Sequence, residues 1–185
     1  MHSSRKIICV VGLPGSGKTT VTNVFREIGI PVLVMGDVIR EEAKRRGLPL
    51  TLDVLMKIAR ELREIEGPAA VAKRIAEKLK HTNKELVVID GARSLHELEV
   101  FKRIGKVYVI AVHASPKTRF KRLSSRGRPD DPKSIDELKG RDLIELKFGL
   151  GELIALADFM IVNEKDLEYL KQEALRIFNE VSRDP

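Results

Sequence analysis

The chain has 185 residues, 43% of them apolar, with one cysteine, a formal net charge of +7 and a pI near 9.6. That length supports one well-filled core and excludes two large domains. A lone cysteine excludes an internal disulfide, and no run of about 18 apolar residues exists to form a membrane-spanning helix. The basic balance suits polyanionic nucleotides or nucleic acid, but an aromatic content of 4% with no Trp leaves few platforms for stacking single strands.

The segment Met1–Lys6 lacks an apolar signal region, so a cytoplasmic protein is expected. Ile7-Ile8-Cys9-Val10-Val11 is a short, β-branched, apolar run that predicts a buried strand, with Cys9 as a small core residue rather than a reactive thiol. Gly12 to Thr19 reads GLPGSGKT and fits the P-loop pattern G-x-x-x-x-G-K-[ST] at every fixed position. Val21, Val24, Phe25 and Ile28 then fall at helical spacing, which predicts a helix over 18–28. Strand, glycine-rich turn and helix together make a phosphate site. Gly12, Gly15 and Gly17 let the backbone curl so that its N–H groups converge, and the positive end of the following helix adds to the nest. The expected cradle is Gly12, Leu13, Pro14, Gly15, Ser16, Gly17, Lys18, Thr19 and Thr20, with Lys18 reaching the β- and γ-phosphates of ATP and the Thr19 hydroxyl available to Mg²⁺.

Pro31–Met35 predicts a second strand. Gly36-Asp37-Val38-Ile39-Arg40 follows, with Asp37 as the expected N-cap and Arg40 in the first turn of a helix over 38–46. Helical stretches at 52–66 and 68–80 precede a third strand at Leu86–Asp90. Asp90 ends that strand, where an acid holds Mg²⁺ in P-loop folds or else caps the next turn. Arg93 lies just beyond. Arg40 and Arg93, both past strand ends, form a guanidinium pair suited to a second anion.

A helix over 95–103, a strand over 107–112 and a helix over 116–125 come next. Arg119, Arg122, Arg126, Arg128 and Arg141 form a basic cluster around the polar loop Arg126–Asp131. It reads as a closing lid that stabilises charge on a transferring phosphoryl group, or as a solvated or RNA-contacting basic surface. Ser124–Gly151 is polar at first and then helical; Phe159–Val162 is the fifth strand and 166–181 the last helix. None of the four histidines has a partner at a readable spacing, so all are expected to be non-catalytic. Strands separated by helices predict an α/β architecture with a five-stranded parallel sheet and right-handed crossovers.

GLPGSGKTT, GDVIREEAKRRG, VVIDGAR and RGRPDD with Arg141 downstream resemble the nucleoside monophosphate kinases. The segment ADFMIVN, from Ala157 to Asn163, is similar to dephospho-CoA kinase, and the whole chain is most similar to archaeal adenylate-kinase-related proteins. The resemblance implies a single three-layer P-loop domain over 1–185, with a helical acceptor-binding insertion at about 37–67 and a short lid at about 115–145. It implies ATP and Mg²⁺, with Lys18 and Thr19 on the donor phosphates and metal, and Asp90 as the second metal ligand. Asp37, Arg40 and Arg93 would serve the acceptor, while Arg126, Arg128 and Arg141 would stabilise the transferring group.

Some positions depart from that pattern. The D-G-x-R element is one residue short, and Arg126 and Arg128 are only two apart, so the lid is trimmed. Glu97 stands where adenylate kinases carry an adenine-reading Gln; an ionised carboxylate accepts hydrogen bonds and cannot donate, so it suits guanine better or is a surface helix residue. The expected activity is transfer of the γ-phosphoryl of ATP to a nucleoside monophosphate or similar small nucleotide. The alternatives are transfer to a ribose hydroxyl as in dephospho-CoA kinase, with Asp37 as base, and a nucleotide-dependent RNA- or ribosome-associated ATPase switch. No membrane partner is expected, and the oligomeric state is left open.

Overall fold

The computed structural model describes residues 5–127 and 131–184. Five strands, β1 (Lys6–Val11), β2 (Val32–Val34), β3 (Leu86–Asp90), β4 (Lys106–His113) and β5 (Phe159–Val162), form one sheet in the order β2-β3-β1-β4-β5. All pairings are parallel, and Cys9 of central β1 sits between Ile89 and Val109. The helices are α1 (Lys18–Glu27), α2 (Met35–Arg45), α3 (Leu52–Glu66), α4 (Ala70–Lys80), α5 (Leu95–Lys102), α6 (Pro116–Arg126), α7 (Ile135–Lys147), α8 (Leu150–Ala155) and α9 (Leu167–Arg183).

β1 is apolar at every position from Ile7 because both of its faces are covered. Side chains alternate across a strand. Ile7, Cys9 and Val11 therefore enter a core shared with α2, α3, α4, α5 and α8, including Met35, Ile58, Leu62, Ile75, Phe101 and Leu153. Ile8 and Val10 enter the opposite core with Val21 and Phe25 of α1 and Leu170, Ala174 and Ile177 of α9. The two layers of helices fix the sheet between them. Burial also pushes the Cys9 thiol pKa up, as expected of an inert core cysteine.

β2 is shorter than expected. Met35 is fully buried and already helical, so α2 begins at Met35 with Val34 as a cap lacking any side-chain hydrogen bond. Asp37 is therefore not the N-cap; it lies within the first turn. The helical part of 124–151 resolves into α7 and the start of α8, separated at Gly149, whose φ of 103° is in the left-handed region that favours glycine. Among the described residues no helix is long and apolar enough to cross a membrane.

A P-loop cleft walled by arginines

Central β1 hands the chain to the Gly12–Gly17 turn at the carboxyl edge of the sheet. The chain crosses to one side of β1 for β2 and β3, then to the other for β4 and β5. Such a switch point is where open α/β sheets leave a crevice. Gly12, Gly15 and Gly17 all have positive φ. A Cβ at Gly15 would lie 3.0 Å from both the Arg119 carbonyl and Leu123, and one at Gly17 would collide with the Asn163 carboxamide, so these two positions have no room for a side chain. The turn ends on α1, whose first N–H groups have no partner within the helix and face the same bowl.

The resulting cleft has a volume of about 450 Å³. Gly12, Pro14, Gly15, Gly17, Lys18, Thr19 and Thr20 line one side. Arg40 from α2, Arg93 from the β3–α5 loop, Arg122 and Arg126 from α6 and Arg141 from α7 line the other, together with Glu145. The Lys18 ammonium donates to the Gly12 carbonyl at 2.6 Å and to the Leu13 carbonyl at 3.3 Å. Burial lowers its pKa, opposed in part by Asp90 and Glu145. Two buried polar atoms at this end lack a hydrogen-bond partner, Ser16 Oγ in the P-loop and Arg122 Nη1 in the cleft wall. An unpaired buried donor is costly, and Arg122 lines the cleft, so its Nη1 is suited to an anionic ligand that accepts from it.

Leu13 and Ser16 belong to the loop without lining the cleft: Leu13 packs on the core and Ser16 is 1% exposed. Thr19 is exposed at the mouth, while Asp90, 8% exposed, lies behind the loop and accepts a long 3.4 Å bond from the Thr22 hydroxyl. Burial raises the Asp90 pKa, with Lys18 pulling the other way. A hydroxyl and a carboxylate offer the hard oxygen donors that Mg²⁺ takes, usually with phosphate and water completing its shell.

On the opposite wall, Arg40 pairs with Asp37 at 2.7 Å in an exposed i,i+3 contact, and Asp37 itself does not line the cleft. Arg126 pairs with Asp131, its Nε lying 3.1 Å from Oδ2. Arg128 lies outside the described residues. Arg93, expected to offer its guanidinium to an acceptor anion, is already engaged: its Nε and Nη2 both meet the Glu145 carboxylate, the latter at 3.2 Å. That carboxylate raises the Arg93 pKa, and despite burial the guanidinium holds Glu145 below the usual carboxylate range.

Two expectations are corrected outright. Glu97 neither lines the cleft nor lies on the surface. It is fully buried, its Oε1 accepting from Arg63 at 2.8 Å and its Oε2 from the Arg93 backbone N–H at 2.7 Å. Ser94, which caps α5, and Glu97 three residues on form a capping-box spacing, a local signal that outweighs the resemblance to adenylate kinases at this position. Arg119 is likewise no lid residue. It is 2% exposed and forks onto Asp142 at 2.9 and 2.5 Å.

Sequence reasoning missed Glu145 and Asn163. Glu145 stands one turn after Arg141 on α7, so the i,i+4 spacing placed both on one face. Asn163 is the polar residue that closes an apolar strand, and its Nδ2 donates to the Ser16 carbonyl at 2.7 Å.

The family described as AAA domain matches residues 11–139, from the end of β1 into α7. A UPF0200 protein of Hyperthermus butylicus is 51% identical over 178 residues, covering 96% of each chain. The chain belongs to this AAA domain family and to the UPF0200 proteins. Another relative, from Thermococcus sibiricus, is 50% identical and covers 92% of this chain and 93% of its own. Among solved structures, TT1252 from Thermus thermophilus is similar with a TM-score of 0.65 at 22% identity, over 96% of this chain and 98% of that one. Shikimate kinase from Bacteroides thetaiotaomicron is similar with a TM-score of 0.60 at 18% identity, over 95% and 98%. The chain therefore has the α/β P-loop fold of the small-molecule kinases, with an all-parallel five-stranded sheet.

Proposed function

We propose that this UPF0200 protein is an ATP- and Mg²⁺-dependent phosphotransferase that moves the γ-phosphoryl group to a small nucleotide acceptor. One observation carries the reading: the P-loop and five guanidinium groups from α2, the β3–α5 loop, α6 and α7 line a single cleft. Phosphoryl transfer requires little covalent chemistry from a protein; it needs two anions held in line and charge placed around the transferring oxygens. The loop amides, Lys18 and the α1 N-terminus hold the donor phosphates. Thr19 and Asp90 would hold Mg²⁺, which would supply charge neutralisation at the phosphates. Arg122, Arg126 and Arg141 face the transferring group, and Arg40 and Arg93 face the acceptor.

The test is turnover of ATP against a panel of nucleoside monophosphates and dephospho-CoA. Turnover should rise above slow hydrolysis with at least one acceptor, and Lys18→Ala should abolish it. A Lys18→Ala protein that binds and turns over ATP like the parent overturns the assignment.

A further inference from the structure

Resting on that phosphotransfer reading, we propose that the acceptor attacks through a hydroxyl group whose proton passes to Glu145, so that the product is a phosphomonoester rather than an anhydride. Glu145 is the carboxylate among the cleft-lining residues, and it is 6% exposed. α7 sets it across from the P-loop, and Arg93 fixes its orientation through both oxygens. An ionised carboxylate has about four acceptor sites. Arg93 fills two, which leaves each oxygen one lone pair for a donor in the cleft.

Only some acceptors can supply that donor. A phosphate oxygen at neutral pH is itself an acceptor, and beside Glu145 it would face a like charge with no proton to share. The Nε and Nη2 edge of Arg93, the natural fork for a phosphate nucleophile, is already taken. A hydroxyl meets both conditions, since it donates to the carboxylate and brings no charge. Asp37 does not compete for the role, because it lies outside the cleft lining and is paired with Arg40. The step balances: the hydroxyl oxygen bonds to Pγ, the bond from Pγ to the β,γ-bridging oxygen breaks with its electron pair leaving on ADP, and the hydroxyl proton moves to Glu145 and on to water. The acceptor's own anionic group falls to Arg40, which also lines the cleft.

The experiment uses the full chain with ATP, Mg²⁺ and AMP, GMP, CMP or UMP, each of which offers both ribose hydroxyls and a terminal phosphate. ³¹P NMR of the product reports where the new phosphoryl group sits. A phosphomonoester signal is expected, with Glu145→Gln lowering kcat about 100-fold or more, leaving the KM for ATP within about threefold, and Glu145→Asp recovering part of the loss. An anhydride product overturns this proposal while leaving the phosphotransfer reading intact. Ester formation by a folded Glu145→Gln protein at the parental rate also overturns it. If Glu145→Gln does not fold, the product position in the parent protein decides. No transfer to any acceptor overturns the phosphotransfer reading and this proposal with it.

Discussion

The Asn163 carboxamide donates to the Ser16 carbonyl at 2.7 Å, tying the residue after β5 to the middle of the P-loop. Asn163 is 3% exposed, and its own carbonyl accepts from Arg122 at 3.0 Å, so one side chain and one backbone group join loop, sheet edge and α6. Asn163→Asp replaces the donor with an acceptor facing a carbonyl. An unmade buried bond of this kind costs about 1–3 kcal/mol. The variant should unfold at lower denaturant and bind ATP more weakly, by calorimetric titration. Parental affinity in Asn163→Asp would show that the loop holds its shape without this tie.

Arg119 and Asp142 form a buried fork that joins α6 to α7, and Arg119 also donates to the Pro14 and Ala114 carbonyls, each at 3.1 Å. Removing one partner strands the other charge in the core. Asp142→Ala should cost about 3–5 kcal/mol in chemical denaturation, and the double variant Arg119→Met/Asp142→Ala should lose less than the sum of the single changes. Additive losses would mean that the two side chains act independently.

The parallel sheet, its helices and the P-loop were legible because each rests on local pattern: a β-branched run, a fixed glycine spacing, or a 3.6-residue apolar repeat. Leu52–Glu66 emerged with the bounds that its apolar stripe predicts. The start of α2 was not legible, because the pull of Met35 into the core overrides the capping preference of Asp37. In the site, the loop itself could be read residue by residue. The fates of the arginines could not, because a sequence shows which guanidiniums exist but not which carboxylate reaches each. Arg93 meets Glu145 and Arg119 meets Asp142 across sequence separations of 52 and 23, which no local pattern encodes.

Glu97 and Arg63 make a second buried pair, 0% and 9% exposed, and the Arg63 guanidinium stacks 4.7 Å above the Phe148 ring. The pair fastens α3 to the start of α5 beneath Arg93. Glu97→Ala should therefore lower stability by about 3–5 kcal/mol while leaving the order of preference among nucleotide bases unchanged. Melting curves and the acceptor panel together check this. A changed base preference at unchanged stability would restore Glu97 to the acceptor pocket.

Glu42 gives the fold a pH dependence with a defined sign. Its carboxylate accepts from Arg45 at 2.6 and 2.9 Å and from Arg46 at 2.6 Å, and Arg46 continues to Glu61 on α3 at 2.7 Å. The bonds from Arg45 and then Arg46 hold the Glu42 pKa at about 2, against an ordinary 4.5. A depressed folded-state value stabilises the protein fully above the unfolded-state pKa, and the gain is lost as pH falls from about 4.5 towards 2. Because Arg45 is largely exposed, solvent screening reduces the gain to about 0.5–1 kcal/mol. Glu42→Gln should thus be less stable than the parent by that amount at neutral pH, with the gap closing through the acid window and narrowing in high salt. Urea unfolding of both proteins at several pH values measures it, and a gap that widens on acidification would show that Glu42 is not the group responsible.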